Sequence, residues 1–378
     1  MKLFLCRALS GLLFSFLCVA LVVPSLAVHD NLSVSAKSAI LVEGDSGSVI
    51  WSKNCDERLS MASTTKIMTA LVALENYSDL QNTVAIHDDA CGIEGSSIYL
   101  KPGETLTMMQ LLEALLLSSA NDAATAIAIE VAGSVEGFSV LMNETALRLG
   151  MTDSHFTNPH GLDDELHYTT AADMAKLAVA AMKNENFAKI VSTYKATIPM
   201  DGGEGTRVLL NHNKLLKYYD GAVGIKTGFT KRSGRCLVSA AEKNGVLMIA
   251  VTLSAPDDWN DHRAMLDFGF SKYTRLSVAN EGSVDHVIPV TGGAVNFVRI
   301  TNKDPVSITV PVDHPEVRTV IEAPRFIFAP VTEGRILGYA RCFMGNDEIA
   351  CIPLYADTGC ERLPEPILKD RLLDFFKF

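Results

Sequence analysis

The sequence predicts an α/β protein with an antiparallel sheet, a helical subdomain inserted into it, and a small all-β domain after it. Strand-like segments with turn signals open the chain, helical periodicity dominates its middle, and strands return before residue 275. Beyond about Leu276, short alternating strands separated by Pro and Gly replace this pattern. With 378 residues and 48% hydrophobic composition, the chain is long enough for two domains that each bury a core.

The first 27 residues have the composition of a secretory signal peptide. Lys2 and Arg7 precede an apolar run from Leu12 to Val23, and Ser25-Leu26-Ala27 places small residues where a signal peptidase cleaves. We expect cleavage after Ala27 and an exported, extracytoplasmic protein. An uncleaved membrane anchor is the alternative, but the apolar run is short for a spanning helix.

The elements of the first domain, residues 32–275, follow from changes in hydrophobic period. Helical periodicity predicts helices over 63–77, 106–117, 123–132, 171–182 and 261–270. Alternation and turn signals predict a hairpin of strands 38–42 and 49–52, and later strands over 223–226, 235–241 and 246–253. The small β domain, residues 277–361, is predicted to contain strands over 287–290, 295–300, 306–310, 317–321 and 338–343.

Composition and cysteine spacing exclude several classes of partner. A formal net charge of −11 provides no sequence-independent attraction to nucleic acid, so no nucleic-acid partner is expected. No CxxC pair and no HExxH motif occurs, so no metal or other cofactor is expected. Cys342 and Cys351 flank Gly345-Asn346-Asp347-Glu348. A hairpin turn centred on Asn346-Asp347 predicts that they lie opposite each other, where a disulfide is feasible; two buried thiols are the alternative.

The central chemical signal is Ser63-Thr64-Thr65-Lys66 at the start of a predicted helix. Serine is a weak nucleophile until a base takes its proton, and a lysine three residues later lies on the same helical face. Lys66 serves as that base only when neutral, which burial and a second nearby cation favour. Taken alone, the motif also fits a serine helix cap with a solvated lysine.

Two further motifs follow in the order that this chemistry requires. Ser119-Ala120-Asn121 lies between two predicted helices, where a loop presents both side chains to a cleft. Lys226-Thr227-Gly228 ends a predicted strand. Each motif is weak alone, but the three together are a strong indication of a serine acyl-transfer enzyme.

With these motifs the sequence resembles the serine D,D-peptidases and serine β-lactamases, and most closely the low-molecular-mass penicillin-binding proteins that are D-alanyl-D-alanine carboxypeptidases. The resemblance extends over nearly the whole mature chain. It includes the runs Gly95-Ser96-Ser97, Leu100-Lys101-Pro102-Gly103, Asn121-Asp122-Ala123, His160-Gly161-Leu162-Asp163 and Gly224-Ile225-Lys226-Thr227-Gly228. It implies a penicillin-binding, β-lactamase-like transpeptidase domain.

The resemblance also implies roles for individual residues. Ser63 attacks the carbonyl between two D-alanines of a peptidoglycan stem peptide, Lys66 takes its proton, and Ser119 relays a proton to the leaving amine. Asn121 holds the substrate amide, Lys226 and Thr227 recognise the terminal carboxylate, and Gly228 lets the substrate backbone approach. The backbone N–H groups of Ser63 and Phe229 form the oxyanion hole. β-Lactam antibiotics are expected to acylate the same serine, and His160 is expected to have a structural role.

Three other functions remain open from the sequence. A class A β-lactamase shares the three motifs but needs a glutamate in a Glu-x-x-Leu-Asn setting, whereas Glu165 is followed by Leu166-His167-Tyr168. A D,D-endopeptidase has the same residues. A catalytically silent wall scaffold is expected to have lost a motif residue, and none is lost.

Residues 365–378 predict an amphipathic helix that lies on a membrane surface. On a helical wheel, Leu368, Leu372, Phe375 and Phe376 share one arc, which Lys369 and Arg371 border. We therefore expect the mature protein to be peripheral on the outer face of the cytoplasmic membrane. A tail helix packed on the β domain is the alternative.

Overall fold

A computed structural model describes residues 32–200 and 205–364 of the chain. The predicted signal peptide, residues 1–27, and the predicted amphipathic helix, residues 365–378, lie outside the described residues. The helices are α1 (Lys66–Asn76), α2 (Met108–Leu117), α3 (Asn121–Ala132), α4 (Val135–Arg148), α5 (Ala171–Met182), α6 (Glu185–Ser192), α7 (Leu215–Tyr218) and α8 (Asp258–Lys272).

Seventeen strands occur in the described residues. Those up to residue 253 are β1 (Ser38–Glu43), β2 (Val49–Lys53), β3 (Thr83–Ala85), β4 (Thr105–Thr107), β5 (Lys195–Pro199), β6 (Thr206–Leu210), β7 (Ala222–Thr230), β8 (Gly234–Lys243) and β9 (Val246–Leu253). Those that follow are β10 (Tyr273–Ala279), β11 (Asp285–Thr291), β12 (Phe297–Thr301), β13 (Val306–Pro311), β14 (Val317–Glu322), β15 (Ile327–Phe328), β16 (Ile336–Met344) and β17 (Asp347–Ala356).

A five-stranded antiparallel sheet, in the order β2-β1-β9-β8-β7, forms the framework of the first region. β1 pairs with β2 on one side and with β9 on the other, so the beginning and end of this region meet in the sheet. The helices α1 to α7 all lie between β2 and β7 in sequence. The predicted sheet with a helical insertion is therefore confirmed.

The alternation of side chains along β1 explains why the sheet is covered on both faces. Ile40 and Val42 point into the core that the inserted helices share, whereas Ala39 and Leu41 point into a second core with Leu266 of α8. Successive strand residues face opposite sides, and full burial of one such Ile, Val or Leu side chain contributes about 1.5–3 kcal/mol. Both faces of β1 are therefore buried, which is why its residues 39–42 are all apolar.

Helix α4 was not among the predicted helices, although its sequence has a helical pattern. Its buried residues include Phe138, Met142 and Ala146, spaced four apart. Ser134 caps its first turn, because Ser134 Oγ accepts a hydrogen bond of 3.0 Å from Gly137 N. In the described part of the chain, no single helix meets the length and apolarity needed to cross a membrane; α3 and α4 meet them only as a pair, with an 84° bend.

The second region forms a separate all-β layer, as predicted. Its six-stranded sheet has the order β14-β16-β17-β12-β11-β15, and β10 pairs with β13 beside it. The core includes Ile288, Val298, Ile300 and Leu354. β10 begins at Tyr273, directly after α8, so the strands of this region start a few residues before the predicted position 277.

The predicted disulfide between Cys342 and Cys351 is wrong. The turn between β16 and β17 lies one residue earlier than predicted, and a β-bulge follows Cys342. As a result, Cys342 pairs with Ala350, and Cys351 lies opposite Arg341. Because a shift of one residue turns a side chain to the other face of a sheet, Cys342 is buried and Cys351 is exposed. All six cysteines of the described residues are free thiols.

Candidate active site

Ser63 lies on a short 3₁₀ turn, Ala62–Thr65, which continues directly into α1. Lys66 is the first residue of α1, and its Nζ lies 3.0 Å from Ser63 Oγ. Residues three apart on a helical turn lie on the same side, so the local sequence brings the two groups together. Lys66 is fully buried, whereas Ser63 lines an open cavity.

Three oxygen atoms surround Lys66 Nζ: Ser63 Oγ, Asn121 Oδ1 at 2.7 Å and the backbone oxygen of His160 at 2.7 Å. The carboxamide and backbone oxygens only accept hydrogen bonds. A neutral amine donates two hydrogen bonds and keeps one lone pair. These two oxygens take both N–H groups of the neutral amine, so that its lone pair faces the hydroxyl of Ser63.

Electrostatics favour that neutral form. Burial lowers the pKa of Lys66 well below its ordinary value, and the nearby charge of Lys226 lowers it further, against the opposite effect of Asp122. Burial alone lowers the pKa of Lys226 to about 7. Burial and the charge of Lys226 therefore both disfavour the protonated form of Lys66.

Lys226, Thr227 and Gly228 lie on β7, the edge strand of the sheet, beside the turn that carries Ser63. A Cβ atom on Gly228 would lie 3.0 Å from Met61 O and 3.1 Å from Ser63 N. Glycine at this position thus allows β7 to approach the nucleophile turn. Gly228 also lines the cavity, and the approach of the substrate backbone to it stays a prediction.

The loop 160–163 closes the site from a third direction. Gly161 has φ +85°, and a Cβ atom there would lie 2.0 Å from Ala62 O, so the loop packs against the nucleophile turn without space for a side chain. Asp163 Oδ1 accepts a hydrogen bond of 2.8 Å from Thr230 Oγ1 at the end of β7. The loop therefore connects the nucleophile turn to the edge strand.

The ring of His160 takes no part in the contacts of Lys66. Its Nδ1 accepts a hydrogen bond of 3.2 Å from Leu162 N, and burial together with the charge of Lys66 lowers its pKa to about 3. The ring is neutral near neutral pH. Only the backbone carbonyl of His160 touches the lysine, which agrees with the structural role expected for this residue.

Ser119 and Asn121 lie at the junction of α2 and α3. Ser119 lines the same cavity as Ser63. The carboxamide of Asn121 has partners in the protein at both ends, because Oδ1 accepts from Lys66 Nζ and Nδ2 donates to Glu94 O. Asn121 thus positions the lysine, and its contact with the substrate amide stays a prediction.

Asp122 is a buried carboxylate whose role the sequence did not reveal. It accepts hydrogen bonds from Ser97 Oγ at 2.6 Å and from Leu100 N at 3.0 Å. Loop 95–101 is thereby held against the start of α3, where Asn121 N donates to Ser96 O at 2.7 Å. These contacts explain why the runs around residues 95–103 and 121–123 occur together.

Three of the seven non-glycine residues with positive φ in the described part of the chain lie at the site. Ala62 (φ +48°) precedes Ser63, Ile225 (φ +85°) precedes Lys226, and Ser119 itself has φ +58°. Non-glycine residues rarely adopt such angles, which cost of order 1–3 kcal/mol each. The surrounding packing must hold them in place, and no sequence pattern marks them.

The cavity in front of Ser63 has a volume of about 360 Å³. Of the predicted site residues, Ser63, Ser119, Thr227, Gly228 and Phe229 line it; it is also lined by Ser96, His212, Lys214, Arg235, Asp258 and Trp259. Lys66, Asn121 and Lys226 lie behind its wall. Across residues 32–200 and 205–364, no group of three or more His, Cys, Asp or Glu side chains is arranged to hold a metal ion.

Arg235 and Lys214 add positive charge to this cavity, and sequence reasoning missed both. Arg235 Nε donates to Asp258 Oδ1 at 2.9 Å, and its guanidinium lies 5.8 Å from the ring centre of Trp259. Lys214 Nζ lies 5.9 Å from the same ring. Because these residues come from separate segments outside the three motifs, only the tertiary structure reveals their proximity.

Comparison with known proteins assigns this fold and site to a family. Residues 25–257 match the family model described as D-alanyl-D-alanine carboxypeptidase, and residues 273–362 match the C-terminal domain of penicillin-binding protein 5. The D-alanyl-D-alanine carboxypeptidase DacF of Bacillus subtilis is 35% identical and the match covers 98% of this chain and 99% of that protein.

Solved structures support the same assignment. The chain matches penicillin binding protein 5 from Haemophilus influenzae with a TM-score of 0.68 and 26% identity, covering 87% of this chain and 98% of that one. A peptidoglycan synthesis regulatory factor (PBP3) from Streptococcus pneumoniae matches with a TM-score of 0.74 and 26% identity, over 87% of this chain and 100% of that one.

The fold and the site thus define a serine peptidase of the penicillin-binding class. Within that class, the chain belongs to the D-alanyl-D-alanine carboxypeptidase family, and the family resemblance predicted from the sequence is confirmed.

Gly161→Ala tests the packing of loop 160–163 against the nucleophile turn. The added Cβ would overlap Ala62 O and displace the His160 carbonyl from Lys66, so we expect acylation by penicillin to slow by about a hundredfold. Gly103→Ala is the matched control, because Gly103 also has positive φ (+74°) but no atom within 4 Å of the added Cβ. Equal acylation rates in the two variants, measured by stopped-flow on protein with a native melting temperature, would contradict this account.

Proposed function

We propose that this protein removes the terminal D-alanine from peptidoglycan stem peptides that end in D-Ala-D-Ala, through an acyl-enzyme on Ser63. The observation that carries the proposal is that the buried Lys66 amine lies 3.0 Å from Ser63 Oγ. Its two other neighbours, Asn121 Oδ1 and the His160 carbonyl oxygen, are both hydrogen-bond acceptors. This arrangement creates a base at the serine without a histidine or a metal ligand.

In the acylation step, Lys66 takes the proton of Ser63 Oγ as that oxygen attacks the carbonyl carbon between the two D-alanines. The backbone N–H groups of Ser63 and Phe229 stabilise the resulting oxyanion; one such donor contributes roughly 2.7–4 kcal/mol to lowering the barrier. The C–N bond then breaks, and Ser119 relays a proton to the departing amine of D-alanine. Water hydrolyses the remaining ester.

The carboxylate of the terminal D-alanine is recognised at the β7 side of the cavity. Thr227 lines this side, and the buried Lys226 lies directly before it in the strand. Arg235 and Lys214 line the same cavity. Asp258, the one lining carboxylate among the described residues, pairs with Arg235, so the lining keeps a net positive charge. An anionic end group is therefore favoured over a neutral one.

The same geometry supports acylation by β-lactams and argues against a β-lactamase function. A β-lactam offers an acyl carbonyl and a carboxylate to the same groups. A class A β-lactamase needs a glutamate beside the acyl-enzyme. Here Glu165 is exposed to solvent. The buried side chain of this segment is that of His167, whose Nε2 lies 2.7 Å from Thr65 Oγ1. No glutamate lines the cavity in the described residues, so slow hydrolysis of a penicilloyl-enzyme follows.

We also propose export by the signal peptide 1–27 and attachment of the mature protein to the outer face of the cytoplasmic membrane through residues 365–378. The apolar arc of that segment, with Leu368, Leu372, Phe375 and Phe376, supports this proposal together with its bordering Lys369 and Arg371. Attachment would place the active site within reach of newly made peptidoglycan.

Ser63→Ala and Lys66→Ala test the catalytic pair. Ser63→Ala removes the nucleophile and is expected to abolish labelling by a fluorescent penicillin, because no covalent bond can form. Lys66→Ala removes the base and is expected to slow acylation by at least about a hundredfold. Ser271→Ala, which removes a hydroxyl from the exposed side of α8, serves as control. Stoichiometric labelling of the alanine variant at Ser63 would refute the assignment.

Thr227→Val tests recognition of the terminal carboxylate. The substitution keeps the shape of the side chain and removes its hydroxyl, so kcat/KM for a D-Ala-D-Ala peptide should fall by about tenfold to a hundredfold, as expected for a lost hydrogen bond to a charged group. A substrate with an amidated C-terminus should be poor for the parent enzyme and little affected by the substitution. Equal cleavage of acid and amide by the parent would show that the carboxylate is not recognised.

Truncation after Leu363 tests attachment through residues 365–378. The full-length mature protein should sediment with vesicles of phosphatidylglycerol and phosphatidylcholine, whereas most of the truncated protein should remain in the supernatant. Penicillin acylation should be the same in both, because the site lies in the first region. Full-length protein that never sediments, or truncated protein that has lost its melting transition, would contradict the proposed anchor.

A further inference from the structure

Five large apolar side chains are exposed at one end of the β domain. Their exposed fractions are 68% for Phe328, 63% for Phe297, 54% for Phe326, 53% for Leu363 and 45% for Val295. Among the described residues, four phenylalanines are more than half exposed, and three of them lie here. The fourth, Phe229, lines the active-site cavity. We call these five residues the aromatic end.

Strand register brings these residues together. Phe328 pairs with Thr291 of β11, and Phe297 pairs with Pro289 of the same strand. Thr291 and Pro289 are two residues apart, so they and their partners point to one face of the sheet. The ring centres of Phe326 and Phe328 lie 5.5 Å apart in an edge-to-face arrangement. The aromatic side chains therefore form one exposed surface.

The described chain also reaches its last residues at this surface. Leu363 N donates a hydrogen bond of 2.9 Å to Gly292 O, and Gly292 directly follows Thr291, the partner of Phe328. Because neighbouring strands lie about 4.8 Å apart, Leu363 is within about two strand spacings of Phe328. The described residues thus end beside the aromatic end, directly before residues 365–378 in sequence.

The charges near this surface fit a negatively charged lipid headgroup layer. Arg325 directly precedes Phe326, and Arg362 directly precedes Leu363. Arg335 lines the same cavity as Phe326 and Phe328. Glu322 and Glu361 are the acidic neighbours. The following segment has no net charge, but on a helical wheel Lys369 and Arg371 border its apolar arc while Asp370 and Asp374 face away from it. Aromatic and aliphatic side chains bordered by basic residues are typical of surfaces that lie in the lipid interface.

We propose that the aromatic end inserts its side chains into the interface of an anionic lipid bilayer, next to residues 365–378. This inference rests on the proposed membrane attachment and goes beyond it, because it assigns a folded face of the β domain to the lipid. Attachment by a tail alone would leave the domain free to rotate. Two contacts fix which end of the β domain faces the membrane.

A tryptophan probe tests insertion directly. Phe328→Trp is made in the full-length mature protein, and its emission is measured after subtraction of the parent, which contributes Trp51 and Trp259. Vesicles of phosphatidylglycerol and phosphatidylcholine should shift this emission to shorter wavelength, and brominated lipids should quench it. Leu147→Trp is the matched control, because Leu147 is 75% exposed on α4, outside the β domain, and its probe should neither shift nor be quenched.

Affinity provides the second measurement. The double variant Phe326→Ser/Phe328→Ser should bind these vesicles about tenfold more weakly, because it removes two large apolar contacts. Val140→Ser/Leu147→Ser removes exposed apolar side chains from α4 and should leave binding unchanged. Penicillin acylation at the parent rate reports that the first region is folded in every variant, and an unchanged melting transition reports that the β domain is folded as well.

Each alternative occupant gives a different result and overturns the inference. Vesicle binding with a silent tryptophan probe at position 328 would mean that residues 365–378 attach alone, and the proposed anchor would survive. A blue shift without lipid that depends on protein concentration would indicate a second copy of the chain. A concentration-independent blue shift without lipid, removed by Leu372→Ser/Phe376→Ser, would mean that the tail covers the surface. Absence of any vesicle binding would overturn both proposals.

Discussion

The burial of the Lys66 side chain is the constraint on which the active site depends. A buried ammonium group loses its hydration, which lowers the pKa of Lys66, and the buried Lys226 opposes the same charge. The lysine is tolerated in the core only because Asn121 Oδ1 and the His160 carbonyl accept its two N–H groups. The fold thereby converts a strongly basic side chain into a neutral base aimed at one hydroxyl.

Three chain segments must meet at the nucleophile turn to exclude water from Lys66. Their close approach explains why the site contains glycine at positions 161 and 228. β7 comes within contact of the turn only because residue 228 has no side chain, and loop 160–163 only because residue 161 has none. Asp122 supports the arrangement from behind by holding loop 95–101. The positive φ angles of Ala62 and Ser119 are the conformational cost of this convergence.

The two regions expose their functional groups in opposite ways. The first region buries Lys66 and Lys226 and leaves a polar cavity of about 360 Å³ open to substrate. The β domain buries an ordinary apolar core but leaves phenylalanines in solvent at the end where the described chain stops. The proposed membrane contact would use the second kind of surface, and the proposed peptidase reaction uses the first.

Local sequence determined the chemistry and the order of elements, because both depend on short spacings. Ser63 and Lys66 meet because they lie one helical turn apart. The sheet, the helical insertion and the β domain were predicted from changes in hydrophobic period, and each such change is visible in a segment of about ten residues. Helix α4 was missed although its pattern is local.

Tertiary structure decided everything that depends on contacts between distant segments. Asn121 proved to hold the lysine, Gly228 faces the nucleophile turn, and Arg235 and Lys214 line the cavity without belonging to a motif. The predicted disulfide failed because one bulged residue changes which face Cys351 occupies. Periodicity identifies which side of a helix or strand is buried, but the residues that this side contacts are fixed only when the chain packs.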